Sequence, residues 1–160
     1  MIVYLVRHGI AEDWAANGRD RDRRLTERGR IRTGQSGRGL KRLKVKPDLI
    51  LTSPFARAAE TASIIAGALN RSDLVQTVEM LQSGGGSERH VRQLLPEEHA
   101  EVMIVGHQPE LGLMVEELAG RGTQVEFKKG TVCRIDLPSP LGEGQIVWLL
   151  APKILVELGK

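Results

Sequence analysis

Two histidines and two arginines come at or shortly after the ends of strand-like segments of the sequence: Arg7, His8, Arg57 and His107. The segments are 2–6, 48–52 and 102–105, each a short apolar run typical of a buried parallel strand. The carboxyl ends of parallel strands meet at one edge of a sheet, and ligands bind there. We therefore expect these side chains to converge on one site.

This combination of residue types fits the transfer of a phosphoryl group. Guanidinium groups bind phosphate oxygens through paired hydrogen bonds and keep their charge, and the amides at the start of a helix add positive potential. A neutral His8 can act as the nucleophile if a hydrogen-bond acceptor holds its second ring nitrogen. Gly9 lets the backbone approach closely enough for a carbonyl group to be that acceptor. The predicted reaction transfers a phosphoryl group to His8, with positive side chains in the place of metal ions.

Taken singly, these residues also have structural interpretations. A lone His8 is more often a hydrogen-bonded core residue, and a lone Arg57 is more often a surface charge. An arginine directly after a buried strand needs an anion, however, because an unpaired buried charge is costly. Two arginines would repel a metal ion, and no carboxylate cluster accompanies the histidines, so no metal is predicted. His90 lies in a polar helix and His99 in an acidic loop, and we interpret both as structural.

Helical patterns alternate with the strand-like segments. The clearest helix, 54–69, is apolar on one face, with Ser53 as its cap and Pro54 at its first position. Three further helices are predicted at 26–43, 87–95 and 109–119, although glycines weaken the first of them. Three further strands are predicted at 74–81, 131–137 and 146–150, the last two as a hairpin. The alternation predicts an α/β fold: a three-layer sandwich with a central, mainly parallel but mixed sheet, in a single domain over residues 1–160.

The composition narrows the setting and the partners. A chain of 160 residues with one cysteine can form a core but no internal disulfide, and no apolar run is long enough to span a membrane. A cytoplasmic protein without membrane contact is expected. Residues 1–60 carry 14 basic and 7 acidic side chains, which favours an anionic partner. Few aromatic residues are available to stack on bases, so nucleic acid is not expected as that partner.

Four motifs, in order, resemble those of the histidine phosphatase superfamily, the phosphoglycerate-mutase-like enzymes. They are Arg7-His8-Gly9, Arg24-Leu25-Thr26-Glu27-Arg28-Gly29, Ser53-Pro54-Phe55-Ala56-Arg57-Ala58 with Glu60-Thr61-Ala62, and Val105-Gly106-His107-Gln108-Pro109. With the short chain, they are similar to the bacterial SixA-type phosphohistidine phosphatases. The resemblance implies a phosphoglycerate-mutase-like fold with neither a metal nor an organic cofactor. It also implies that His8 becomes phosphorylated and that Arg7, Arg57 and His107 form the phosphate pocket.

The resemblance implies a phosphatase that acts on a histidine-phosphorylated protein, either a phosphotransfer domain or a phosphocarrier. Many relatives that cleave phosphate esters carry an acid after the Arg57 motif. Here the only candidate in that stretch is Glu79, which we interpret more simply as the polar face of a strand. A phosphorylated imidazole can leave as a neutral group without such an acid, whereas an alkoxide needs a proton. The missing acid therefore favours a P–N bond as the substrate.

The sequence leaves three alternatives open. The first is a small, broad-specificity phosphomonoesterase that uses the same His8, with Glu12, Asp13 or Glu79 as the acid. The second is a module that binds phosphate without turnover, although such a module has no need of His8 beside Arg7. The third is a nucleic-acid-binding domain built on the basic run 19–32. We expect this run instead to lie at the rim of the phosphate pocket.

Overall fold

The computed structural model describes all of residues 1–160 and is organised around one six-stranded sheet. Its strands are β1 (Ile2–Arg7), β2 (Leu49–Thr52), β3 (Val75–Thr77), β4 (Glu101–Gly106), β5 (Val132–Asp136) and β6 (Gln145–Leu150). The spatial order is β3-β2-β4-β1-β5-β6. Neighbours from β3 to β1 are parallel, whereas β5 and β6 run antiparallel to their neighbours. The predicted mixed, mainly parallel sheet and its final hairpin are confirmed.

Helices cover both faces of the sheet. They are α1 (Glu27–Arg42), α2 (Ala56–Leu69), α3 (Glu110–Ala119) and α4 (Pro152–Leu158). Alternate residues of β1 show the two cores: Tyr4 and Val6 pack with α1, α2 and α4, whereas Val3 and Leu5 pack with α3. Because both faces are covered, the central strands are apolar throughout, as the sequence pattern predicted. The three-layer α/β sandwich is confirmed.

Several predicted boundaries are wrong for local reasons. Helix α2 begins at Ala56, because Ser53 and Pro54 form a turn in which Ser53 Oγ accepts a hydrogen bond from the Phe55 amide. The strand predicted over 74–81 is limited to β3, because this edge strand pairs only with the short β2.

The remaining differences concern the shorter helices. The segment predicted over 87–95 is a 3₁₀ helix, Ser87–Leu94, and α3 starts after Pro109 rather than at it. Helix α4 was not predicted, since its 7 residues are too few to show a helical period.

The glycines of α1 were expected to weaken the helix, but they allow close packing. A Cβ atom at Gly37 would lie 2.7 Å from the Ala68 Cβ of α2, and one at Gly39 would collide with the Leu155 carbonyl of α4. The predicted cap is present, since Thr26 Oγ1 accepts from the Gly29 amide at 2.9 Å. Helix α1 is thus held by its neighbours as well as by its own propensity. None of the helices combines the length and the apolar character that a membrane crossing would require.

Candidate active site

The carboxyl ends of β1, β2 and β4 bring the predicted residues together. The His8 amide donates to Gly106 O at 3.1 Å, and the Ser53 amide donates to Val105 O at 3.1 Å. These bonds set the residues that follow the three strands side by side at one edge of the sheet. The rings of His8 and His107 lie 5.3 Å apart between their centroids. Arg57, in the first turn of α2, reaches His8 with its Nε atom, 3.3 Å from His8 Nε2.

The ring of His8 is held in one tautomer. Its Nδ1 lies 2.8 Å from the Gly9 carbonyl oxygen, which can only accept a hydrogen bond, so Nδ1 carries the proton. Nε2 therefore has a free lone pair and accepts from Arg57 Nε. The carbonyl acceptor expected from Gly9 is present.

The electrostatic surroundings keep both site histidines neutral. Burial, supported by the nearby charges of Arg57 and Arg7, lowers the pKa of His8 to about 3, although the Gly9 hydrogen bond acts in the opposite direction. Burial, again with the charge of Arg57, lowers the pKa of His107 to about 4. At neutral pH, His8 thus presents an unprotonated Nε2, which is the form a nucleophile requires.

Arg57 is buried, and each of the three nitrogens of its guanidinium group makes a hydrogen bond. Nε contacts His8, Nη1 donates to the Asp20 backbone oxygen at 2.9 Å, and Nη2 donates to Asp20 Oδ2 at 3.2 Å. Thr61 Oγ1 donates to Arg57 O at 2.7 Å and accepts from the Gly9 amide at 3.0 Å. The segment carrying His8 and the helix carrying Arg57 are therefore tied together directly.

Arg7 and His107 each carry a buried nitrogen without a protein partner. Arg7 Nη1 donates to Phe127 O at 2.6 Å, but Arg7 Nε is buried and unpaired. His107 Nε2 is 2.8 Å from Ser53 Oγ, but His107 Nδ1 is buried and unpaired. Unpaired buried polar groups are rare because they cost free energy. At a site with two arginines, an oxyanion is the chemical group that would pair with Arg7 Nε, and with His107 Nδ1 when that nitrogen carries the proton.

The candidate acids lie apart from this hydrogen-bond network. Glu79 is exposed in a 3₁₀ turn (Glu79–Leu81), so its interpretation as the polar face of a strand is wrong. Glu12 is exposed and accepts from the Arg24 amide, and Asp13 is exposed without a hydrogen bond to the site. None of these three carboxylates bonds to Arg7, His8, Arg57 or His107.

The other histidines lie outside the site. His90 is exposed, and His99 Nδ1 is 3.2 Å from Asp48 Oδ1. No group of three or more His, Cys, Asp or Glu side chains is arranged to hold a metal ion.

Sequence reasoning missed the roles of three residues that complete the site. Asp20 lies within the basic run 19–32, and no pattern in the sequence connects it with Arg57. Ser53 was assigned to a helix cap, whereas its hydroxyl contacts His107. Thr61 lay within the quoted Glu60-Thr61-Ala62 motif, but its role as the tie between Gly9 and Arg57 depends on tertiary structure.

The low pKa values of His8 and His107 predict a dependence of stability on pH. In the unfolded chain both histidines titrate near about 6.5, so below that pH the unfolded state binds more protons than the folded state. The contribution of the two histidines to the free energy of unfolding should be fully present above pH 6.5. It should fall as the pH drops towards 4, by up to about 1.4 kcal/mol per pH unit for each histidine. Urea unfolding at pH 6.5, 5.5 and 4.5, in a buffer without oxyanions, measures this slope.

The variant His8→Asn should lower that slope, because one of the two titrating groups is gone. The matched control is His90→Asn, which makes the same exchange at an exposed histidine outside the site. Equal slopes in the wild type and in His8→Asn would contradict a depressed His8 pKa.

Comparison with known proteins places this chain in a family. The model of the histidine phosphatase superfamily (branch 1) matches residues 3–83. The phosphohistidine phosphatase SixA of Escherichia coli (strain K12) is 29% identical over 155 residues, which cover 95% of this chain and 94% of that protein. The fold matches a solved structure of the protein histidine phosphatase SixA complexed with tungstate, with a TM-score of 0.85 and 29% identity, over 97% of this chain and 99% of that one.

The fold is also shared more widely. A phosphoglycerate mutase from Bacillus anthracis str. Sterne matches with a TM-score of 0.78 over 100% of this chain and 97% of that one, at 15% identity. The predicted phosphoglycerate-mutase-like fold is confirmed. Fold and family similarity define the class of protein as a phosphatase hydrolase. The chain belongs to the histidine phosphatase superfamily, and its predicted resemblance to the SixA-type proteins is confirmed.

Proposed function

We propose that this protein removes the phosphate from a phosphorylated histidine of another protein, through a phospho-His8 intermediate. The observation that carries the proposal is the neutral His8, whose Nδ1 proton is held by Gly9 O while Nε2 faces the Arg57 guanidinium. This is the arrangement of a nucleophile beside the positive charge that a phosphoryl group requires. The relatives named SixA, described as phosphohistidine phosphatases, support the same substrate class.

The reaction proceeds in two displacements. In the first, the lone pair of His8 Nε2 attacks phosphorus, the P–N bond of the substrate breaks, and its electron pair goes to the substrate imidazole. Arg7, Arg57 and His107 hold the phosphoryl oxygens as charge shifts during transfer. In the second, water attacks the phosphorus of phospho-His8 and gives up a proton to the solvent. The new P–N bond breaks, its electron pair returns to Nε2, and inorganic phosphate leaves.

The substrate class follows from the leaving group. Glu12, Asp13 and Glu79 make no hydrogen bond to the four site residues, and Asp20 is paired with Arg57 as a carboxylate, so none of these groups is placed to give a proton to an alkoxide. A phosphorylated imidazole that is protonated on its other nitrogen leaves as a neutral molecule. The site is therefore suited to P–N cleavage, with Glu79 as the proposed donor only if ester cleavage occurs.

The proposed function also includes the extent of the domain, its location in the cell and its partner. The whole of residues 1–160 acts as one domain, because both apolar cores are built on the same sheet. We propose that it works in the cytoplasm without metal or organic cofactor. Its partner is a histidine-phosphorylated phosphotransfer domain or phosphocarrier protein, with neither nucleic acid nor a membrane involved.

The test compares two substrates on one enzyme preparation. The kcat/KM on a histidine-phosphorylated phosphocarrier should exceed that on glycerol phosphate by at least about 100-fold, since an alkoxide leaving group lacks its proton donor. A ratio near one, or a preference for glycerol phosphate, would indicate the broad-specificity phosphomonoesterase. Binding of the phosphocarrier without release of phosphate would indicate a phosphate-binding module.

A further inference from the structure

The carboxylate of Asp20 lies against the buried arginine of the site. Asp20 starts a 3₁₀ turn (Asp20–Asp22) in the long connection between β1 and α1. Its backbone oxygen and Oδ2 both accept from Arg57, while its Oδ1 accepts from Arg23 Nε at 2.9 Å. The Arg57 side chain is 5% exposed and that of Asp20 is 60% exposed. One surface residue thus supplies two of the three acceptors that hold a buried guanidinium group.

The two contacts with Asp20 use one edge of that guanidinium group and leave the edge that carries Nε to His8. Nη1 and Nη2 form the end of the group, and both are occupied by Asp20. Nε lies on the side edge, which faces His8 Nε2. A guanidinium group binds an oxyanion best through two parallel N–H groups of a single edge. With the end edge held by Asp20, the side edge is the one presented beside the nucleophile.

The connection that carries Asp20 is bonded mainly to itself. Asn17 Nδ2 donates to Asp22 Oδ2 at 2.7 Å, and Arg23 Nη1 donates to Glu12 O at 2.9 Å. Of the residues in the 3₁₀ turn, only Asp20 makes a hydrogen bond to Arg57. Within the basic run 19–32, the residue of this turn that bonds to Arg57 is therefore the acidic Asp20.

Two other roles for Asp20 fit these contacts less well. As a proton donor, Asp20 would need to be protonated. Partial burial raises its pKa, but the charges of Arg57 and Arg23 outweigh that effect, and the pKa of Asp20 lies below its usual value. As a competitor of phosphate it would have to occupy the edge of Arg57 that faces His8, whereas it bonds to the end edge.

We propose that Asp20 is a positioning residue: it fixes the end of the Arg57 guanidinium group so that its side edge faces the phosphoryl group on His8. This inference rests on the proposed phosphatase function. It assigns to the β1–α1 connection a part in phosphate binding that the motifs of the sequence do not indicate. Asp20 acts through Arg57 and does not itself contact the phosphoryl group.

The experiment is a double-mutant cycle with tungstate as the probe. Asp20→Asn keeps the shape of the side chain, and calorimetry should show a tungstate Kd about 10-fold higher than in the wild type, with a similar loss of kcat/KM. In an Arg57→Lys background, where no guanidinium edge remains to be oriented, Asp20→Asn should change the Kd by less than about 2-fold. The control is Asp22→Asn, on the same turn, whose side chain bonds to Asn17 and not to Arg57. This variant should bind tungstate as the wild type does.

Each other outcome overturns the inference. Equal effects of Asp20→Asn with and without Arg57 would mean that Asp20 acts on the loop and not through the arginine. Tighter tungstate binding in Asp20→Asn would mean that Asp20 competes with the phosphate. Tungstate binding does not depend on the substrate, so the inference can fail while phosphohistidine hydrolysis stands, and the reverse can also be observed.

Discussion

Replacement of His8 by asparagine should lower kcat by about 10⁴-fold or more, because the reaction then has no nucleophile and only binding and charge stabilisation remain. Asparagine is polar and similar in width, so the hydrogen bond to the Gly9 carbonyl can be kept while the Nε2 lone pair is removed. The measurement is single-turnover release of phosphate from a histidine-phosphorylated protein at enzyme excess.

The same variant tests the intermediate directly. When the wild type is mixed with labelled substrate and quenched within milliseconds, acid-labile phosphate should be found on the enzyme. The label should be absent in His8→Asn and present in His90→Asn, since His90 is an exposed histidine outside the site. Label that persists in His8→Asn would show that another side chain is the nucleophile, and an unlabelled wild type would contradict a covalent intermediate.

The convergence of the site residues could be predicted from the sequence because it follows from topology. Parallel strands in one sheet end at the same edge, so residues directly after β1 and β4 must be neighbours once the strands are recognised as parallel. The apolar runs were enough for that recognition, because strands covered on both faces show no alternation. His8 and His107 are therefore close for a reason that the sequence pattern contains.

Other parts of the site depend on contacts that no local pattern encodes. Asp20 lies in a connection without regular periodicity, and its meeting with Arg57 depends on how that connection folds back over α2. Helix α4 could not be predicted for a similar reason. It is too short to show a helical period, and it is held by the contact of Leu155 with Gly39 of α1. Glu79 was misplaced because β-propensity cannot tell where an edge strand with one neighbour stops pairing.

Replacement of Arg57 by lysine should lower kcat/KM by about 100-fold although the positive charge is kept. Arg57 uses three different nitrogens for His8 Nε2, the Asp20 backbone oxygen and Asp20 Oδ2. One ammonium group cannot reproduce that fork, and it cannot present two parallel N–H groups to a phosphoryl group. The loss should fall on both kcat and KM, since the phosphoryl oxygens are bound in the ground state and more strongly in the transition state.

A matched control separates the shape of the guanidinium group from its charge. Arg30→Lys also exchanges an arginine that is paired with a carboxylate, since Arg30 Nη2 lies 3.2 Å from Glu60 Oε2, but that pair is partly exposed. Exposed ion pairs contribute little, so this variant should stay within about 2-fold of the wild type. If Arg57→Lys also stayed within about 3-fold, charge alone would suffice at the phosphate site. The orientation of Arg57 by Asp20 would then have no effect on catalysis.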